Sequence, residues 1–307
     1  MTPGVGEVVA GTAGVLGLAF AAAVLAAALD PGSSARGLTV VTSPLHELTR
    51  LLVKRGRTTP APDALLWWVG STGLLIVAVL MGLLVPRGDA SATVPSSIGV
   101  VWFNALDVTV WAVVWLAGWG PNSVYPLVGA YRFLAQALSY ELPLMFALVA
   151  PALGAASLDP ARIVTAQQHV WFVVWMPVAF LAFCLGVVGF AFWGPLAHPV
   201  GTDVAGGVGV EDAAVRRLLL GVGRYALLGV GAAMGVALFL GGGSGPLLPA
   251  WLWALIKTLA LLAALIFLGG RTPVVPVQRL VPVAWLGVLP AVLVQLLVVS
   301  VVVLVRP

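Results

Sequence analysis

Eight apolar runs, each about as long as a bilayer is thick, leave this chain one environment in which to fold. They cover residues 8–29, 64–86, 97–117, 131–153, 169–193, 218–240, 248–270 and 281–305. A run of about 20 apolar residues spans the hydrocarbon as a helix, because a helix satisfies its backbone hydrogen bonds internally. None of the runs alternates polar and apolar residues, which excludes a closed barrel. Only 8% of the 307 residues are charged, against about 25% in a soluble domain, so the chain cannot cover a surface with water-facing side chains. The expected fold class is therefore all-α: a polytopic membrane protein of eight transmembrane helices and one interfacial amphipathic helix. The whole chain, 1–307, is expected to form a single integral membrane domain. Its start, MTPGVGEVVAGTAGVLGLAF, lacks a basic segment and is expected to be the first span rather than a cleaved signal peptide.

Basic residues orient the bundle. Connectors after the odd-numbered runs hold ten of them: Arg36, Arg50, Lys54, Arg55, Arg57, Arg132, Arg216, Arg217, Arg271 and Arg279. The opposite side holds three: Arg87, Arg162 and Arg306. By the positive-inside rule the connectors 30–63 and 194–217 are cytoplasmic and both termini lie outside the cytoplasm, as expected of a multi-pass protein of the inner (cytoplasmic) membrane. Within the first connector, 43–56 carries Leu45, Leu48, Leu51 and Leu52 on one stripe with Glu47, Arg50, Lys54 and Arg55 off it. Ser43 suits its N-cap and Pro44 its first turn, so a short helix lying in the membrane interface is expected. A solvated loop with one helical turn is the alternative.

Ionisable residues inside the runs are few and therefore informative. Glu141, Asp107 and Lys257 fall within apolar helices, where an isolated charge costs about 2.5–3.5 kcal/mol or more on insertion scales. Such residues face a bundle interior or a water-filled path, and a proton or ion route is the default reading. A structural carboxylate, satisfied by a neighbouring helix, is the alternative for Glu141. Lys257 facing Glu141 or Asp107 would ease all three, whereas a Lys257 that snorkels would not. On the fourth run Arg132, Gln136 and Ser139 share one helical face, with Glu141 on roughly the opposite side. Pro143 frees a carbonyl beside Glu141 and leaves room for water there.

Other chemistries find no support. His46, His169 and His198 are dispersed, with no carboxylate or thiol at metal-ligand spacing, and a single cysteine, Cys184, supplies no cluster. No catalytic set and no metal cofactor are expected in this chain. Twelve tryptophans, Trp67, Trp68, Trp251 and Trp253 among them, fit interfacial belts. The glycine patches 206–209 and 241–245 precede no phosphate-binding helix. The net charge of +4 sits at loop ends without the basic runs that nucleic acid requires.

The same residues match a known pattern. GWGPNSVY, then Arg132, Gln136 and SYELP (139–143), closely resemble the H subunit of respiratory complex I. AASLDPARIVTAQ (155–167), LFLGGG (238–243), Lys257, Arg271 and the stretch from Trp285 to Pro290 resemble its later parts, and 43–65 its interfacial helix. The related membrane subunit of nickel–iron hydrogenases shares the architecture. The resemblance implies a subunit of a redox-driven proton pump that shapes part of a quinone chamber, its interfacial helix near the opening. It implies a proton path through Glu141, Asp107 and Lys257, and a quinone-chamber wall or arm contact at Arg132, Gln136, Arg271, Asp203, Glu211 and Asp212. Quinone as substrate, membrane lipid and the other subunits of the assembly are the implied partners, while the redox centres belong to those other subunits.

The connector 192–217 departs from the pattern. It lacks the family's Pro-Phe-Asp motif and keeps only Asp203, Glu211 and Asp212 as acids, and the charged cluster before the last run is thinned to RTPVVPVQRLVP (271–282). A diverged paralogue is implied. Two alternatives stand beside the leading reading: a quinone-independent membrane anchor of a hydrogenase-like or antiporter-linked complex, and a stand-alone ion transporter, against which the lack of internal repeats counts.

Overall fold

The apolar runs do fold as helices. The computed structural model describes residues 4–30, 37–88, 91–201 and 207–305, and helix dominates them. The helices are α1 (Val5–Leu29), α2 (Leu38–Val53), α3 (Ala64–Leu83), α4 (Gly99–Trp119), α5 (Val124–Gly154), α6 (Pro160–Ala166), α7 (Phe172–Trp175), α8 (Pro177–Phe190), α9 (Ala214–Phe239), α10 (Ala250–Gly269), α11 (Val277–Val283) and α12 (Leu289–Val305). One π-helical stretch, Ala284–Val288, joins α11 to α12, so that Val277–Val305 is a single apolar rod. Strand is confined to the two-residue pairing of β1 (Pro86–Arg87) with β2 (Ser91–Ala92) among the described residues. This is an all-α polytopic membrane protein.

Seven helices among the described residues are long and apolar enough to cross a membrane. The fifth expected span, 169–193, is the exception. It divides into the single turn α7 and the 14-residue α8, with Met176 between them at φ −124°, ψ 47°. Pro177 is the cause, since its ring drives the preceding residue out of the α region. Gln295 of α12 donates to the Trp175 carbonyl at 3.0 Å, satisfying backbone that the break exposes.

Other boundaries move for local reasons. Helix α2 begins at Leu38, not at Ser43, so Pro44 lies inside it and Gly37, at φ 61°, takes the N-cap position. Only glycine enters that conformation without strain. Helix α5 begins at Val124 and runs 31 residues through both Pro143 and Pro151 without interruption. Side-chain caps start α3, where Asp63 accepts from the Leu66 N–H at 3.1 Å, and α6, where Asp159 accepts from Ala161 at 2.9 Å.

Helix α9 is the axis of the bundle, buried along most of its length and packed by α1, α3, α8 and α10. Helix α5 is the second axis, packed by α4, α8 and α12. Glycines allow the closest approaches. A Cβ on Gly70 of α3 would fall 2.2 Å from the backbone nitrogen of Ala117 on α4. Gln167, after α6, is a buried staple: its amide donates to the Ile163 and Ala237 carbonyls and accepts from the Phe172 and Gly241 N–H groups.

Candidate functional site

The contact of α4 with α5 brings two acids together at mid-membrane depth. On α4, Asn104, Asp107 and Trp111 follow each other at spacings of three and four and so share one face. On α5, Tyr140 and Glu141 lie near the middle of the helix and turn toward that face. Asn104 Nδ2 donates to Glu141 Oε1 at 3.2 Å, and the Asp107 carboxyl is the electrostatic neighbour of the Glu141 carboxyl. Asp107 and Tyr140 are fully buried and Glu141 is 7% exposed.

Six buried polar atoms here have no hydrogen-bond partner of regular geometry among the described residues: Asn104 Oδ1, both Asp107 oxygens, Trp111 Nε1, the Tyr140 hydroxyl and Glu141 Oε2. Buried polar atoms are ordinarily paired, so a cluster of this kind marks a place where structure has been given up for something else. It is polar on several sides and supplies the partners that a bound water requires. Two carboxyls this close can hand a proton from one to the other, with Asn104 orienting the Glu141 head group.

Of the two arrangements open to Lys257, the pairing with these acids does not occur. Lys257 lies in the third turn of α10, and helical side chains lean toward the helix N-terminus. Its ammonium therefore reaches back into the preceding connector, donating to the carbonyls of Leu240 (2.7 Å), Gly242 (3.1 Å) and Ser244 (2.8 Å). The Trp171 ring lies 4.1 Å beneath it. Three carbonyls and a ring face satisfy the charge, and the acid pair is left without a lysine.

A second feature lies at the α2 end of the bundle. A cavity of about 930 Å³ opens between α1, α2, α9 and α10. Leu16, Phe20, Leu48, Leu51, Leu220 and Ile266 supply apolar wall, and Asp30, Ser43, Glu47, Arg217, Arg224 and Tyr225 the polar groups. Its size and mostly apolar lining suit a flat, largely hydrophobic ligand held by a few polar contacts. Glu47 pairs with Arg50 at 2.6 Å, and its carboxyl is held below the ordinary value first by that bond and also by Arg217. Arg224 donates to the Phe192 carbonyl.

None of Arg132, Gln136, Arg271, Glu211 or Asp212 lines this cavity. Asp203 lies outside the described residues. Gln136 is buried and donates to the Gly189 and Leu196 carbonyls, both at 3.1 Å, which ties α5 to the end of α8. Arg132 is half-buried one turn earlier. Arg271 is exposed, its guanidinium 3.7 Å from the centre of the Phe267 ring. Glu211 accepts from the Ser123 hydroxyl at 3.0 Å. Asp212 is buried and accepts from Trp67 Nε1 at 2.8 Å, while Arg216 stacks 3.7 Å over the same indole and donates to the Arg57 carbonyl. Burial pushes the Asp212 carboxyl up to about 6, against the opposing pull of the Trp67 bond, Arg216 and Arg217.

Sequence reasoning missed Asn104, Trp111 and Tyr140 beside the acids, and Arg224, Tyr225 and Glu47 in the cavity. The spacing of Asn104 and Asp107 was a usable signal, since two polar residues on one face of an apolar helix imply a polar neighbour. Nothing in the sequence alone shows Tyr225 turning into a cavity.

The comparisons with known proteins agree with this architecture. The profile of the NADH dehydrogenase family matches residues 24–300. The second NADH-quinone oxidoreductase H subunit of Geobacter sulfurreducens is 32% identical over 83% of this chain and 80% of its own. The first H subunit of Rhodopseudomonas palustris (strain HaA2) is 30% identical over 85% of this chain and 82% of its own. The H subunit of Dehalococcoides mccartyi is 26% identical over 91% and 79%. A match over nearly the whole helical bundle, joined to the apolar helices and the acid-bearing α5, makes the chain a member of the NADH dehydrogenase family.

Proposed function

We propose that this chain is the H-type membrane subunit of a complex I-like, proton-translocating quinone oxidoreductase, in which it forms part of the quinone chamber and of the proton path. The observation that carries the reading is the buried Asp107–Glu141 pair with its unpaired polar neighbours, in a bundle whose relatives are named as NADH-quinone oxidoreductase subunits. Asp107 and Glu141 pass the proton. The cavity between α1, α2, α9 and α10 receives the quinone, its ring near Arg224 and Tyr225 and its tail toward α2. Lys257 anchors a connector and stands outside the proton path. Arg132, Arg271 and Glu211, each at least partly exposed, belong to the surface that meets the hydrophilic subunits, which hold every redox centre, while the buried Gln136 and Asp212 brace that end of the bundle from within.

The reading includes a topology. The pair α7–α8 crosses as the eighth span, α2 lies in the interface, and both termini face away from the cytoplasm in a cell inner membrane, the chain forming one integral domain.

Two substitutions test the halves separately. Glu141→Gln keeps volume and the bond from Asn104 but removes the proton, so assembly should persist while coupled turnover falls by about 10²-fold. Full coupling in that variant would leave Glu141 a structural acceptor. Gly221→Leu probes the cavity, because Gly221 lines it and a Cβ there meets nothing within 4 Å. The complex carrying it should show a raised KM for a short-chain quinone. An unchanged KM would favour the second reading, a quinone-independent anchor of a hydrogenase-like complex. One observation supports that reading: the surviving acids Glu211 and Asp212 bond to Ser123 and Trp67 rather than facing the cavity.

A further inference from the structure

The seam between α1, α9 and α10 carries a second hollow at its other end. Toward α2 it widens into the 930 Å³ cavity, and toward β1 it forms a groove of about 250 Å³. Gly11, Gly14, Ala233, Ala254 and Leu255 line the groove, and Arg87 stands at its rim. Its walls are small and apolar, and its volume falls below the roughly 300–1,000 Å³ of a pocket that encloses a compact ligand. A narrow apolar groove of this size suits a flexible chain lying along it. Helices α1 and α10 bury little of their surface inside the protein, so the groove faces the surroundings of the bundle.

The rim supplies the second observation. Arg87 is half-buried, and no carboxylate or hydrogen bond holds its guanidinium among the described residues. It closes over the glycine end of the groove. A Cβ built on Gly11 would fall 2.5 Å from the Leu83 Cδ2 methyl, 2.8 Å from Arg87 Nη2 and 3.2 Å from the Thr93 hydroxyl oxygen, so two donors stand beside apolar wall there. A half-buried cation against an apolar wall calls for an anionic partner, and a phosphate gives charge-assisted bonds to both donors. An unfilled groove forfeits dispersion contacts along its length, which an acyl chain restores. A phosphate and an acyl chain on one molecule describe a phospholipid.

We propose that the Arg87 groove is a binding site for one anionic phospholipid, with its phosphate on Arg87 and Thr93 and one acyl chain between α1, α9 and α10. The site is separate from the proposed quinone cavity and does not depend on that assignment.

The test uses the chain purified from its own membrane with whatever subunits it retains. Native mass spectrometry would count bound lipid during titration with phosphatidylglycerol. Gly14→Leu fills the groove, and a Cβ at Gly14 meets nothing within 4 Å, so the fold should hold. Gly17→Leu is as unobstructed on the same helix but outside the groove, and serves as control. Wild type and Gly17→Leu should retain one more lipid than Gly14→Leu, and Arg87→Gln should weaken retention about tenfold or more. Equal lipid in wild type and Gly14→Leu overturns the proposal. Loss in Arg87→Gln alone overturns the groove as an acyl site, and equal loss in Gly17→Leu shows that no particular site is involved.

Discussion

Single residues decide what this bundle can do, and Asp212 shows how far burial alone can move one. Its carboxyl titrates near 6 in the folded chain against an ordinary 3.8, because burial outweighs the Trp67 bond and the two arginines. The folded state therefore holds more protons than the unfolded state between those values, and stability falls as pH rises through that window before levelling off. Asp212→Asn keeps an acceptor for Trp67 and removes the titration. The variant should be more stable than wild type by about 2–3 kcal/mol at pH 7–8, with the difference vanishing below about pH 4. Thermal unfolding in mild detergent across that range checks it, and a constant difference would mean that Asp212 does not titrate there. Lys257→Met tests the opposite balance: the stem stays over Trp171, but three carbonyls lose their donor, and a clear drop in melting temperature should follow at every pH.

At the scale of elements, most of the fold was legible because a spanning helix is written as an uninterrupted apolar run. Positions of Glu141 and Asp107 inside such runs were equally plain. Hydropathy is blind to the Met176–Pro177 break, since both residues are apolar, and only the steric effect of Pro177 marks it. The direction of Lys257 stayed open for another reason: a residue's level along a helix is readable, but the direction its long side chain takes is set by the connector at 240–245. The neighbours of the acid pair, Asn104 and Tyr140, acquire meaning only through the contact of α4 with α5. The neighbouring approach of α3 to α4 depends on a small residue. Gly70→Ala would press a methyl to 2.2 Å from the Ala117 backbone, which cannot yield cheaply, and the loss should reach about 1–3 kcal/mol or more. Expression and melting temperature of Gly70→Ala beside Gly17→Ala would separate crowding from helix propensity.

For the whole molecule, the topology is directly measurable. In a Cys184→Ala background, cysteines at the exposed Ser97 and Gln168 should react with a membrane-impermeant maleimide in intact cells. Cysteines at Gly56 and Thr272, at the other end of the bundle, should react only after permeabilisation. The reverse pattern would invert the proposed orientation and with it the side from which the cavity communicates.

The acid pair and the large cavity share no helix: one belongs to α4 and α5, the other to α1, α2, α9 and α10. Between them stand α3, packed on α4 and α9, and α8, packed on α5 and α9. A continuous contact crosses that gap, from Arg224 in the cavity wall to the Phe192 carbonyl, and from the Phe192 ring to Phe133 on α5, 4.7 Å between centroids. Carbon rings carry no protons. Under the proposed function, an event in the cavity would reach the acids along this contact as a displacement, with the delay of collective helix motion, about microseconds to milliseconds, and not that of a proton hop.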